Sequence, residues 1–198
     1  MPRRPTHPPL AVFMNGRRVG TLARAADGAI DFRYADDWLT WETAIPISLS
    51  LPLREDRFVG GPVRAVFDSL LPDAAPIRRR AAERVGARGI DAYSLLAALG
   101  HDRVGALQFL TEDMAPGPVG AVEGRPVSDQ EIGELLRHLG RAPLGVRTLV
   151  VERFDRVWRA DGRLIRLPQE DCCRALCVPS TFKYQADGGP WGGAISSR

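Results

Sequence analysis

LAVFMNGRRVGTLARAADGAIDFRY, residues 10–34, reads as three short strands joined by two tight turns. The strands fall at 10–14, 17–23 and 29–34. Between them stand Asn15-Gly16 and Asp27-Gly28, dipeptides that tolerate positive φ and so close hairpins. A small antiparallel meander therefore opens the chain. Next comes PISLSLPL (46–53), in which Ile47, Leu49, Leu51 and Leu53 fall on one side of an extended segment. Pro46 and Pro52 lack amide donors, so this piece is expected at a sheet edge or over its face.

Three helices follow. Val63 to Leu71 places Val63, Val66, Phe67, Leu70 and Leu71 on one stripe, and Pro72-Asp73 stops it. Pro76 to Val85 is rich in arginine and ends at Gly86, a C-cap residue. Asp91 to Leu99 takes Asp91 as N-cap and Gly100 as terminator. GALQFL (105–110) reads as a return strand. A Pro/Gly stretch, 115–126, links to a further helix, where Ser128 and Glu131 form a capping box ahead of Ile132, Leu135, Leu136 and Leu139. Beyond it, LVVERF (149–154) reads as a buried strand that Asp161-Gly162 turns back into RLIRL (163–167). Gln169 to Leu176 is a short helix stopped by Pro179. The tail from 186 to 198 has no apolar period and is expected to be poorly ordered.

Composition excludes several classes. The 198 residues are 44% hydrophobic and 26% charged, as in an ordinary globular protein with a sizeable core. No apolar run reaches membrane-spanning length. MPRRPTHPPL (1–10) is basic and proline-rich without an apolar stretch behind it, which is no secretory signal. A net charge of +3 is too small to imply a nucleic-acid partner. Arg78, Arg79 and Arg80 are expected on the wet side of a helix. Cys172, Cys173 and Cys177 lie within six residues without a second pair or a nearby His, so buried structural thiols in a reducing, cytoplasmic setting are expected, and no metal. His7, His101 and His138 are scattered. Trp38 and Trp41 are expected to form a lid over the meander.

Several of these stretches carry a resemblance. PISLSLPL (46–53), FDSLLPD (67–73), LLAALGHDRVGALQF (95–109) and VERFDRVWRADGRLIRLPQEDCCRALCVPSTFKYQADGGP (151–190) resemble the HipA family, the serine/threonine kinase toxins of bacterial toxin–antitoxin systems. The resemblance implies an α+β fold: a small antiparallel sheet with packed helices, the HipA N-terminal subdomain, followed by a fragment of a kinase-like core. The expected division is 1–112 for the subdomain, 113–146 for a linker and helix, and 147–198 for the core fragment with its hinge and following helix. Two positions depart from the family pattern. Ser69 stands where Asn is usual in FDNLLPD, and Cys177 where Gly is usual before Val-Pro.

In the family a long segment with the phosphate-gripping chemistry separates the two halves. Here PLG (143–145) is followed almost at once by LVVERFDR (149–156). A kinase holds the nucleotide phosphates with a lysine and its metal ions with Asp and Asn. Yet of 27 cationic residues all but Lys183 are arginine, and Asn15 is the only asparagine. Arginine's broad fork does not replace a lysine point charge between phosphates. The family's hinge, whose backbone meets the adenine edge of ATP, falls at Glu152 and Phe154. Read by themselves, Val150, Val151 and Phe154 are core of a damaged lobe, the reading expected here. The expectation is thus a remnant of a Ser/Thr kinase toxin, inactive as this chain, with no catalytic residue, no metal and no cofactor, although ATP and Mg serve the intact family. The alternative is a non-enzymatic module that docks on or restrains a partner HipA-type kinase or antitoxin. Partners implied are a helix-turn-helix antitoxin or a kinase, with nucleic acid met only indirectly and no membrane. An active kinase is the third and least supported reading.

Overall fold

The computed structural model describes residues 7–100, 105–111, 114–120, 127–139, 153–179 and 182. The expected meander is present as β1 (Leu10–Met14), β2 (Arg17–Arg24) and β3 (Ile30–Tyr34). A two-residue strand, β4 (Phe58–Val59), extends it on one side, and the return strand β5 (Leu107–Thr111) on the other. The order is β4-β3-β2-β1-β5, antiparallel throughout. Alternation fixes the register: Leu10, Val12 and Met14 point into the core while Ala11 and Phe13 do not. Val12 faces Phe109 across the β1–β5 pair, and Leu22 faces Phe32 across β2–β3.

Against this sheet lie α2 (Gly61–Asp68) and α4 (Ala92–Leu99). Phe67 from α2 meets Phe32 of β3 and Phe109 of β5 at ring-centroid distances of 5.6 and 5.8 Å, linking those two strands through one aromatic cluster. Asp91 caps α4 as expected, its Oδ1 accepting from the Ser94 amide at 3.1 Å. Gly100 ends that helix where the chain crosses β5, and a Cβ there would stand 1.8 Å from the Phe109 carbonyl oxygen. Only glycine permits that approach. Between them, α3 (Ala75–Val85) ends at Gly86 with φ 64°. Arg79 and Arg80 are exposed as expected. Arg78 instead turns inward to Asp68 Oδ1 at 2.8 Å and the Pro72 carbonyl at 2.6 Å. The main apolar cluster runs from Leu10 to Phe109.

Segment 46–53 differs from its expectation. It forms no strand, and Leu49 and Leu53 are 72% and 37% exposed while Ile47 and Leu51 are buried. The buried spacing is four residues because the chain turns here, with the Leu51 amide donating to the Ser48 carbonyl at 3.0 Å. Tyr34 sets that turn. Its hydroxyl accepts from the Ile47 amide at 3.0 Å and donates to the Leu51 carbonyl at 2.5 Å. A side-chain hydroxyl thus replaces the ladder partners that two prolines make impossible. In α1 (Asp36–Leu39), Trp38 is buried and donates Nε1 to the Ile45 carbonyl at 3.1 Å. Trp41 stays partly exposed beneath the Arg17 guanidinium at 4.3 Å, so only half of the tryptophan pair acts as the expected lid.

Helix α5 (Asp129–Leu139) starts at the expected capping box: the Ser128 amide donates to Glu131 Oε2 at 2.8 Å, and the Glu131 amide to Ser128 Oγ at 3.3 Å. The second half holds β6 (Arg156–Trp158), β7 (Leu164–Arg166) and α6 (Cys172–Ala175). The partner of 163–167 is therefore β6, not 149–154. A hairpin's register is counted outward from its turn. Gly162, at φ 77°, donates to the Arg159 carbonyl, which puts Val157 opposite Ile165. Residues 149–152 lie outside the described residues. Helix α6 begins later than expected because Asp171 is its cap, accepting from the Arg174 amide at 2.8 Å. Of the three cysteines only Cys173 is buried; Cys172 and Cys177 are exposed, against the expectation of three buried thiols. No helix among the described residues is long and apolar enough to cross a membrane.

Candidate functional site

The functional interest lies at the junction where residues 153–179 meet the sheet. It is built from side chains that grip backbone. Asp155, which the sequence marked only as part of ERFDR, is almost fully buried. Its carboxylate accepts from the Gly105 amide at 2.8 Å, from Arg153 Nε and Nη2 at 2.9 and 2.8 Å, and from Arg156 Nη1 at 2.8 Å. Arg156 also donates to the Gly105 carbonyl at 3.1 Å, so adjacent residues of one segment hold both sides of a single glycine. Gly105 sits at φ +83°, the left-handed region where a side chain is strained. Arg153, then the Gly105 amide and Arg156, hold the Asp155 carboxyl far below the usual carboxylate range, against the burial that opposes them.

A second grip comes from Asn15, at φ 47° in the first hairpin turn. Its Nδ2 donates to the Arg166 carbonyl at 2.9 Å and its Oδ1 accepts from the Arg166 amide at 3.0 Å. One amide side chain thereby extends the β6–β7 pair as a third strand would. A third grip joins the 46–51 turn to α6 and the residues just before it. Ser48 Oγ donates to Glu170 Oε1 at 2.9 Å and Ser50 Oγ to the Arg174 carbonyl at 2.8 Å. Burial raises the Glu170 carboxyl above its ordinary value, against the Ser48 bond and the Arg174 charge. Sequence reading missed these roles because the partners are 50 to 151 residues apart. The one local signal was the alternation Arg153, Asp155, Arg156.

The residues singled out for nucleotide contact fare differently. Glu152 lies outside the described residues, as do Lys183, Val150 and Val151. Phe154 is described and is 73% exposed, so its expected place in a lobe core is wrong. It precedes Asp155, and burying that carboxylate turns the phenyl ring outward. His101 also lies outside the described residues, while His7 rests edge-on against Tyr93 at 5.6 Å. No group of three or more His, Cys, Asp or Glu that could hold a metal ion occurs among the described residues.

Comparison with known proteins gives the family of the chain. The HipA N-terminal domain model matches residues 10–110, just over half of the chain and the span that holds the sheet and its core. The chain is 29% identical to the Putative kinase Y4mE of Sinorhizobium fredii (strain NBRC 101917 / NGR234) over 261 residues, covering 91% of this chain and 62% of that protein. Since 91% of 198 residues supplies the match to 261, about 80 positions of the relative have no counterpart within it. Its fold matches HipA of Shewanella oneidensis MR-1, solved in a toxin–antitoxin complex of HipA, HipB and operator DNA. The TM-score is 0.69 at 16% identity, over 96% of this chain and 61% of that one. The chain thus spans about three fifths of the length of both relatives. The family model covers more than half of the chain, and the protein is a member of the HipA family.

Proposed function

We propose that this chain is a HipA-family toxin–antitoxin protein that keeps the N-terminal sheet domain and its junction with a kinase-like segment, and that does not transfer phosphoryl groups. The observation that carries this reading is the state of Asn15. Phosphoryl transfer needs metal ions held by Asp and Asn. The sole asparagine of the chain has both amide atoms bonded to the Arg166 backbone, in a turn that ties two halves of the fold together. The residues present therefore do not fit a magnesium–nucleotide group. The stretch of about 80 positions that the match to Y4mE skips supports the same conclusion, since a kinase needs chemistry that these residue types do not supply. The test is thermal unfolding of the full chain with ATP and magnesium. A nucleotide at 100 times its Kd adds about 2.7 kcal/mol of stability, which raises the Tm by several degrees. No magnesium-dependent rise is expected with millimolar ATP, and a rise of that size refutes the reading.

A second reading is favoured by the core. Among the described residues, every member of the main apolar cluster lies between Leu10 and Phe109, which supports residues 1–112 as a unit that folds alone. Such a unit would serve as a docking module for a HipA-type kinase or an antitoxin. Expression of residues 1–112 tests it. A cooperative melt with a stoichiometric complex on a purified HipA-type kinase supports the module, and a chain that stays unfolded removes it.

A further inference from the structure

Asn15-Gly16 carries a reactivity that the hairpin turn alone does not use. Asn15 is the one asparagine of the chain, and the residue after it is glycine. With no side chain on Gly16 to obstruct the approach, its backbone nitrogen is well placed to attack an asparagine side chain. Attack on Asn15 Cγ forms an N–C bond and closes a five-membered succinimide. The Cγ–Nδ2 bond breaks, and ammonia leaves with the Gly16 amide proton. Water then opens the ring at one carbonyl to give aspartate or at the other to give isoaspartate. Neither step needs an oxidant, a reductant or a cofactor.

In the folded chain that side chain is engaged. Nδ2 donates to the Arg166 carbonyl at 2.9 Å and Oδ1 accepts from the Arg166 amide at 3.0 Å, so both polar atoms are fixed to β7. Nδ2 is the atom that the reaction expels. The glycine is covered as well: a Cβ on Gly16 would stand 2.2 Å from Val119 Cγ2. Next to Val119, the Gly120 carbonyl accepts from the Leu164 amide at 3.1 Å. The turn at 15–16 and the 119–120 pair therefore hold the same edge of β7. A deamidated residue 15 cannot restore its share of that hold. A carboxylate only accepts, so one oxygen would face the Arg166 carbonyl with no hydrogen between them. An isoaspartate would add a methylene to the backbone of a two-residue turn that sets the β1–β2 register.

We propose that Asn15 is a deamidation site held in check by its two bonds to Arg166, and that its conversion releases β7 from the first hairpin irreversibly. While the junction is closed, the amide is pinned and the ring does not form. Each opening frees the side chain for attack, so the modified fraction records how often the junction has opened. The process involves no nucleotide and is independent of phosphoryl transfer.

The test follows the mass of the peptide that contains residue 15 while the full chain stands in neutral buffer. Breaking two hydrogen bonds before reaction should slow deamidation about tenfold or more relative to a synthetic peptide of residues 10–20. Asp155→Ala and Ser50→Ala each loosen another grip of the junction. Whichever of them keeps the sheet amides of Val12 and Leu22 as protected from hydrogen exchange as the parent should deamidate at least threefold faster than the parent. The product is tested with Asn15→Asp and with parent chain aged until residue 15 is converted. In both, the Leu164 and Arg166 amides should exchange at least tenfold faster, with Val12 and Leu22 unchanged. The proposal is overturned if the folded parent deamidates as fast as the peptide, or if a loosened variant with an intact sheet reacts no faster than the parent. It is equally overturned if Leu164 and Arg166 in the aged chain exchange within twofold of the fresh one.

Discussion

Asp155 shows how much a single side chain carries in this protein. It is a nearly buried carboxylate whose oxygens serve two arginines and the Gly105 amide, and Arg156 beside it is almost as deeply buried. Removing one member of a buried ion pair leaves the other uncompensated, which costs about 3–5 kcal/mol. Asp155→Asn is accordingly expected to destabilise the chain by that order, because the new amide NH₂ faces two guanidinia; urea unfolding at pH 7 measures it. The pH dependence has a definite sign. The folded Asp155 carboxyl titrates below its unfolded value of about 4, so its contribution is complete above that value. It is lost as pH falls further, through the folded pKa. Glu170 acts in the opposite sense: its folded pKa is raised, so protonating it as pH falls toward about 4 favours the folded state. Stability should therefore hold or rise slightly from neutral to about pH 4 and drop steeply below. In Asp155→Asn the steep acid limb should flatten; an acid limb identical to the parent's would remove this role.

Elements were legible in the sequence wherever the signal is local. The β1–β3 meander follows from Asn15-Gly16 and Asp27-Gly28, α4 from Asp91, and α5 from the Ser128/Glu131 box, and each stands where those residues put it. The failures came where a distant group took over the backbone. Tyr34 turned the 46–53 segment, and Asp155 left Phe154 in solvent. Neither partner is visible from spacing. Helix α6 shows a third case. The Val178 amide donates to the Cys173 carbonyl at 2.8 Å and the Cys177 amide to that of Arg174 at 3.2 Å, the pair of bonds that closes a Schellman cap. That cap needs a left-handed residue, and Cys177 holds φ +57° with a side chain that pays for it. A left-handed non-glycine residue costs about 1–2 kcal/mol. Cys177→Gly should recover about 1 kcal/mol, net of glycine's greater unfolded-state entropy; an unchanged or lowered urea midpoint would contradict the cap assignment.

At the scale of the whole molecule, the two halves are held by different physics. Apolar burial dominates up to Leu110, and beyond it Cys173 is the one buried hydrophobic residue among those described. The later segment is attached by Asp155 to Gly105, Asn15 to Arg166, and Ser48 and Ser50 to α6 and the residues just before it, all polar contacts. The fold matches a solved HipA over 96% of the chain, and the alignment to Y4mE skips about 80 positions. We propose that such a scaffold retains the architecture and not the chemistry of phosphoryl transfer. The most direct measurement is incubation of the full purified chain with γ-³²P-labelled ATP, with and without magnesium, alone and with a generic protein acceptor. No magnesium-dependent label on the chain or the acceptor is predicted. Magnesium-dependent incorporation approaching one phosphate per chain, or turnover onto the acceptor, would contradict it.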